Sequence, residues 1–319
     1  MGDKDEFFQR RNSEAIRRML KSVDYISSSP YVDSLSDSFE SSMGDGKKRP
    51  VALGRCGTTV DCVVVCALPE EREMLFCALG VQEADAKAYF DYRERYGFSN
   101  NRFEIGGITF AVVVMTQMGM VPATSLTTRA ILAFNPKLVC MSGICAGRKS
   151  KVSLGSVVVA SCVFDYSAGK YKNDGSFSPR PRQIAVSQEI GDYIVSATDL
   201  SAVWNSAFTS WRKWKHEVFD QKEARVEYSL MGCGTSVVDN IGKIEEASQT
   251  QDELSAIDME SYGVAYAANA LSKPWIIAKG VQDFADGKKN ETEGDYRDFA
   301  GYMSGKVVFE LASGYLRNR

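Results

Sequence analysis

Two neighbouring segments of the chain decide the fold: SAIDMESYGVAYAANA at residues 255–270 and KPWIIAKGVQDFADG at residues 273–287. Together they predict a strand, a helix and a second strand, because two apolar runs flank a longer alanine-rich stretch. The first run ends in Asp258 and Glu260, and the second ends in Asp283. Carboxylates are among the costliest groups to place at the edge of a core. Their position therefore indicates a site that needs acids.

The same alternation extends over most of the chain. Further apolar, β-rich runs lie at 60–68, 108–116, 137–144, 156–165 and 226–231. Helical segments are predicted at 70–79, 121–134, 187–196, 241–248, 261–271 and 296–316. Strands that are apolar on both sides, with helices between them, predict a sheet covered on both faces.

Bulk composition excludes several classes of function. The 319 residues carry a formal net charge of −3, and no long stripe of Lys or Arg interleaved with aromatics occurs, so we expect no nucleic-acid partner. No apolar run reaches the ~18 residues of a membrane span, and the start MGDKDEFFQRRN is too charged for a secretory signal. We expect a cytoplasmic protein, with no membrane association, that binds a small molecule.

Cofactor and metal motifs are missing from the sequence. There is neither a GxxxxGK[ST] loop nor a GxGxxG turn, and the eight cysteines form no CxxC pair. We therefore expect neither a cofactor nor a metal, and reduced, mostly buried thiols. Cys145 is the exception, since its glycine-rich turn could expose it. The single histidine, His216, lies in a Trp-rich polar stretch, so we expect a structural or exposed imidazole. Trp204, Trp211 and Trp214 lie on a possible helix, and we expect them to pack rather than bind a ligand.

Residues 1–55 differ from the rest of the chain. A short amphipathic helix is predicted over 5–23, and a serine-rich stretch at 27–42 followed by GDGKKRP reads as a linker. Two interpretations are open: an appendage that docks on the domain or on a second subunit, and a regulatory or partner-binding arm. We expect residues 56–319 to form the catalytic domain.

Small and acidic residues cluster where the predicted strands end, the usual position of ligands in doubly covered sheets. In CALPEERE, at residues 66–73, Pro69 is placed to start a helix whose first turn holds Glu70 and Glu71. Acids in a first turn often only stabilise the helix, but one of these could serve as a base. The other strand ends read TQMGMV, MSGICAGRKSKVSLG, FDYSAGKY and MGCGTSVVD.

The joint order of ALPEE, SGICAG with LGSVVVA after it, AIDMES and GVQDFAD resembles the nucleoside phosphorylase and nucleosidase superfamily. It is most similar to the branch of methylthioadenosine/S-adenosylhomocysteine nucleosidases, over roughly residues 60–316. The resemblance implies an α/β fold, a three-layer α/β/α sandwich around a mixed, partly barrel-like central sheet. It also implies a homodimer or higher homo-oligomer that cleaves the bond between ribose and a purine.

Roles for individual residues follow from the same resemblance. Asp283 matches the aspartate that protonates or hydrogen-bonds N7 of the purine, and Glu71 matches the glutamate that activates water. Glu260 matches the glutamate that grips the ribose hydroxyls, with Met259 packed near the ribose. Further pocket positions implied by the match are Gly143, Ile144, Cys145, Val237 and Gln282.

Several positions depart from that pattern. Ile144 stands where a small hydroxyl residue is common, and GCGTSVVD lacks the aromatic that often stacks on the base. Arg148 and Lys170 add positive charge near the predicted site. If these side chains turn inward they suit a 5′-phosphate better than an alkylthio tail, and if they face solvent they are ordinary surface charge.

The sequence thus predicts a hydrolase that cleaves the N-glycosidic bond of a purine nucleoside or nucleotide, with adenine the expected base. One alternative is a nucleosidase for ATP or AMP that acts as a stress or antiviral effector. Another is a phosphate-dependent purine nucleoside phosphorylase, and a third is a non-catalytic nucleoside-binding module. Phosphate beside an ionised Glu71 at ~4 Å meets a repulsion of about 4 kcal/mol at an effective dielectric near 20, which favours hydrolysis.

Overall fold

The computed structural model describes residues 59–81, 87–90, 98–196, 198–215, 223–238, 240–287 and 295–319. The predicted helix and linker within residues 1–55, and His216, lie outside these ranges. The strands are β1 (Cys62–Cys66), β2 (Lys87–Phe90), β3 (Ser99–Ile105), β4 (Ile108–Val114), β5 (Leu138–Gly147), β6 (Val157–Asp165), β7 (Gly169–Tyr171), β8 (Phe177–Pro179), β9 (Arg182–Ala185), β10 (Val226–Cys233), β11 (Leu254–Asp258) and β12 (Trp275–Asp283). The helices are α1 (Pro69–Leu79), α2 (Met120–Phe134), α3 (Gln188–Ser196), α4 (Leu200–Lys215), α5 (Ile241–Ser248), α6 (Ser261–Ala270) and α7 (Asp295–Arg317).

One mixed sheet organises the described residues, in the order β11-β10-β6-β12-β5-β1-β4-β3-β2. Most central pairs are parallel. The middle of β12, however, runs antiparallel to the start of β6, and β11 runs antiparallel to the end of β5. The second of these pairings closes β5, β12, β6, β10 and β11 into a five-stranded barrel. The expectation of a mixed, partly barrel-like sheet is confirmed.

Helices cover both faces of the sheet, which explains why central strands such as β1 are apolar on both sides. In β1, Cys62, Val64 and Cys66 pack into a core under α1, α3, α4 and α7. The alternate residues Val63 and Val65 pack into a second core under α2 and α6. The three-layer sandwich is therefore confirmed. On the first face, Trp211 is completely buried and Trp204 nearly so, as expected of packing residues.

Parts of the fold lie outside the sequence prediction. Strands β2, β3 and β9 and the hairpin of β7 and β8 were not expected, and α4 was only a possible helix. The hairpin is short and largely exposed, so it lacks the apolar alternation that identifies a strand. Among the described helices, none combines the length and hydropathy that a bilayer crossing requires.

Candidate active site

Glu71 is fixed at the start of α1 by three backbone amides. Its Oε2 accepts hydrogen bonds from the N–H groups of Ala67 (2.7 Å) and Leu68 (3.1 Å), and its Oε1 accepts one from Ile144 (2.9 Å). The carboxylate thereby reaches from the end of β1 to the neighbouring strand β5. Gly143 makes this approach possible, because a Cβ at that position would collide with the carboxylate. One lone pair of Oε1 remains available for a further donor.

Glu260 joins two other ends of the sheet. It lies between β11 and α6, is only 5% exposed, and its Oε1 accepts a hydrogen bond from the amide of Gly119 at 2.9 Å. Gly119 lies between β4 and α2 with a φ of 113°, a conformation that side chains with a Cβ rarely adopt. This glycine therefore lets a backbone N–H point at the carboxylate.

Lys279 is buried completely beneath these acids, in the middle of β12. Its Nζ lies 3.4 Å from Oδ2 of Asp258, 3.9 Å from Oε1 of Glu71 and 4.0 Å from Oε2 of Glu260. Burial alone would lower the pKa of the ammonium, but the three carboxylates outweigh it and raise that pKa above its ordinary value. The lysine therefore stays charged and partly offsets the negative charge that these buried carboxyl groups carry when ionised.

The charge balance also affects Glu260. Burial raises the pKa of this carboxyl, Lys279 opposes the shift, and repulsion from Asp258 adds to it, so that the pKa reaches about 7. Glu260 therefore changes its charge near neutral pH. Asp258, to which the sequence assigned no chemistry, accepts hydrogen bonds from Ser261 N and from Ser261 Oγ (2.6 Å) and so also holds the start of α6.

Asp283 ends β12 where its pairing with β5 shifts register between Val281 and Asp283. Such an irregularity re-aims a side chain at the end of a strand. Its Oδ1 accepts a hydrogen bond from the amide of Ala285 at 2.8 Å, and Ala285 has a φ of 51°, which is uncommon for a residue other than glycine. The tight turn thus sets the direction of the carboxyl group, which is 7% exposed.

A cavity of about 130 Å³ opens over these groups. Both Glu71 and Glu260 line it, as do Asp258 and Asp283. The predicted pocket residues that line it are Met259, Ile144, Cys145, Val237 and Gln282. Side chains from four strand ends and from the start of α1 therefore converge on one space. The expectation that the thiol of Cys145 could be exposed is wrong, because the residue is 4% exposed and its Sγ lies 3.5 Å from the carbonyl oxygen of Gly280.

Three of the predicted site residues do not line this cavity. Gly143 lies behind Glu71 instead. Arg148 donates to Glu245 (3.0 Å) and to the carbonyl oxygen of Asp252 (2.8 Å), so its guanidinium is held elsewhere on the surface. Lys170 is exposed on β7. The suggested phosphate contacts of Arg148 and Lys170 thus gain no support from this geometry.

The sequence interpretation missed two residues of the site, Lys279 and Tyr166. Lys279 carries a signal that could have revealed it, since a lone lysine inside an apolar strand is rarely buried without anionic partners. Tyr166 follows β6, lines the cavity and lies so close to Gly234 that a Cβ there would collide with its ring. It supplies the aromatic wall that residues 231–239 lack.

The chemistry available here is that of acids and bases. Glu71 has fixed donors and a free lone pair, Glu260 titrates near neutrality, and Asp283 enters the cavity from the end of a different strand, β12. Such a set can protonate a leaving group at one end of a bound molecule and activate or orient a nucleophile at the other.

Comparisons with known proteins agree with this picture. The sequence is 27% identical over 219 residues to the uncharacterized protein y4jS of Sinorhizobium fredii, covering 67% of this chain and 51% of that protein. It is 24% identical over 241 residues to the ATP nucleosidase Cap17 of Escherichia coli, covering 73% of this chain and 48% of Cap17. The chain thus spans about half the length of these curated relatives.

The fold also matches solved structures. One is the 5′-methylthioadenosine/S-adenosylhomocysteine nucleosidase of Neisseria meningitidis in complex with methylthio-immucillin-A. It superposes with a TM-score of 0.59 at 20% identity, over 79% of this chain and 98% of that one. The family model described as the phosphorylase superfamily matches residues 61–317. The chain therefore belongs to the phosphorylase superfamily.

Proposed function

We propose that the protein hydrolyses the N-glycosidic bond of a purine nucleoside or nucleotide and releases the free base, with adenine the expected one. The observation that supports this most is the convergence of Glu71, Glu260 and Asp283 on one cavity above the buried Lys279. A module that only binds nucleosides has no need for several buried carboxylates, each of which is costly to desolvate.

Cleavage builds positive charge on the sugar and negative charge on the departing base. In the proposed reaction Asp283 protonates N7 of the purine, so that the base leaves neutral. Glu260, when ionised, accepts hydrogen bonds from the ribose hydroxyls and stabilises the positive sugar. Glu71 uses its free lone pair to take a proton from a water molecule that attacks the anomeric carbon.

Water suits this site better than phosphate as the nucleophile. Within the described residues, three carboxylates surround the single ammonium of Lys279, so an incoming phosphate would meet uncompensated negative charge. A unit charge at ~4 Å from another costs about 4 kcal/mol at an effective dielectric of 20. Hydrolysis is therefore proposed over phosphorolysis.

A second candidate concerns the substrate. Similarity to Cap17, an ATP nucleosidase, favours a nucleotide such as ATP over an alkylthio nucleoside. A role as a stress or antiviral effector belongs to this candidate.

We also propose the domain organisation and assembly. Residues 56–319 form the catalytic domain, because every described element lies within them and the family match covers 61–317. A homo-oligomer is proposed because large apolar side chains remain exposed, among them Met118 (50%), which lines the cavity, Val121 (81%) and Tyr266 (53%).

The test uses the purified full chain with methylthioadenosine, S-adenosylhomocysteine, adenosine, AMP and ATP, followed by chromatography of the released base. At least one should yield free adenine. Asp283→Asn should lower the rate about 10²–10⁴-fold, because an amide cannot donate the proton. Activity that survives in Asp283→Asn would reject the assignment of the acid, and release from none of the five would reject the function.

A further inference from the structure

A second, larger cavity adjoins the candidate active site. Its volume is about 770 Å³, and it shares the residues Tyr166, Ser236, Val237 and Val238 with the first cavity. It extends between the hairpin of β7 and β8 on one side and helix α5 on the other. Because the two spaces share a wall and no acid of the site lines the second one, a group bound there would be an extension of the substrate.

Charge decides which extension could fit. Lys243 and Glu246 both line the second cavity, and they form an ion pair with each other at 2.6 Å. Positive and negative charge therefore cancel within the described lining, which gives no net attraction for a phosphate chain. The opposite wall holds Tyr171 and Phe177, whose ring centroids are 5.1 Å apart. A neutral group with apolar or aromatic character suits these surroundings.

Position relative to Asp283 decides which part of the substrate points there. Ala285, whose amide binds the Asp283 carboxyl, belongs to a small apolar cluster against which Tyr166 and Val238 pack. Ile257, at the end of β11, belongs to the same cluster, so the shared wall borders both the turn that holds Asp283 and the end of β11. In adenine, N7 and the 6-amino group lie on the same edge of the ring. A base whose N7 faces Asp283 directs its 6-position towards this wall.

We infer that the second cavity accepts a neutral substituent on the 6-amino group of the purine, so that N6-substituted adenine nucleosides are substrates. This inference rests on the proposed function, in particular on Asp283 facing N7. It identifies Tyr171 and Thr235, which line only the second cavity, as residues that determine specificity.

The test compares two nucleosides with the same sugar, one carrying adenine and one carrying N6-benzyladenine, by the kcat/KM of base release. The sugar is that of whichever substrate the protein cleaves fastest. We expect the two values to agree within about tenfold. Thr235→Trp, which adds bulk at an exposed position, should lower the value for the N6-benzyl compound at least about tenfold and leave the adenine compound unchanged.

Tyr171→Ala removes part of the aromatic wall at a residue that is 77% exposed, so folding should be unaffected. It should also weaken only the N6-benzyl substrate. Val195→Ala is the control, because Val195 is 66% exposed on α3 and is not among the residues that line either cavity; it should change neither value.

Each outcome separates the inference from the proposed function. If adenine is released but N6-benzyladenine is not, or if Thr235→Trp affects both substrates equally or neither, the inference is wrong while the hydrolase stands. If Thr235→Trp instead discriminates S-adenosylhomocysteine from methylthioadenosine, the cavity holds the 5′ substituent and the inference is again wrong. Release of neither base from any substrate would overturn the proposed function itself.

Discussion

Lys279 lies in β12, where all residues from Trp275 to Val281 except Lys279 itself are apolar or glycine. Its methylene chain suits that environment, but its ammonium is stable there only because Asp258, Glu71 and Glu260 surround it. The reverse is also true, since three buried carboxylates without a cation would repel one another. The lysine and the acids are therefore a single electrostatic unit.

Replacing Lys279 by Met tests this dependence. The side chains of Asp258, Glu71 and Glu260 are 2%, 4% and 6% exposed, so removal of the ammonium leaves buried charge without a partner. The free energy of unfolding in urea at pH 8 should fall by about 3–5 kcal/mol. Lys243→Met, which breaks an exposed pair with Glu246, is the control and should cost less than about 1 kcal/mol. Equal losses in the two variants would contradict the account.

Glu260 gives the site a pH dependence whose sign can be worked out. Its pKa in the folded protein, about 7, lies above that of an ordinary glutamate, so the native state binds more protons than the unfolded state between those two values. Stability therefore falls as pH rises through this window and is level above it.

Glu260→Gln should remove this penalty. The variant should be more stable than the parent by up to about 3 kcal/mol at pH 8, and the difference should vanish near pH 4. Urea denaturation at several pH values measures it, with Glu73→Gln as a control at an exposed carboxyl on α1. A difference that stays constant with pH would show that Glu260 does not titrate in this range.

At the scale of elements, the site depends on close approaches between strand ends and helix starts. Helix α1 begins at Pro69, and its third residue reaches across to β5 because Gly143 has no side chain. The same kind of contact joins Gly119 to Glu260. Glycines at these two positions therefore set the location of the Glu71 and Glu260 carboxyl groups.

Gly143→Ala should displace the carboxylate of Glu71. We expect a loss of about 1–3 kcal/mol in the free energy of unfolding, typical of overpacking, together with reduced base release. In a Glu71→Ala background the added methyl group meets no carboxylate, so the same substitution should cost much less. Equal costs in the two backgrounds would show that Gly143 and Glu71 do not interact.

Much of this arrangement could be predicted because doubly covered strands have a strong local signal. Strand β1 is apolar throughout, β12 is apolar or glycine from Trp275 to Val281 apart from Lys279, and the acids that end β11 and β12 mark the site in the sequence. The antiparallel pairing of β11 with the end of β5 could not be predicted, since periodicity reveals a strand but not its partner. Similarly, Tyr166 has no local signal, because it contributes through its contact with Gly234, 68 positions further along the chain.

At the scale of the whole molecule, the closed barrel and the two helical layers hold four carboxylates and one lysine around a small cavity. Such an arrangement lowers the free energy of unfolding, because burying a charged group costs desolvation free energy that burying an apolar side chain does not. The cost is understandable if the charges act on a substrate that changes its own charge as a glycosidic bond breaks. Phosphorolysis would place a further anion in the same space.

Base release with and without phosphate, combined with ³¹P NMR of the sugar product, distinguishes hydrolysis from phosphorolysis most directly. The full chain is incubated with its best substrate in buffer free of phosphate and in buffer saturated with it. Hydrolysis predicts equal rates of adenine release in both buffers and no sugar 1-phosphate. Release that requires phosphate, with a sugar 1-phosphate accumulating in step with the base, would contradict it.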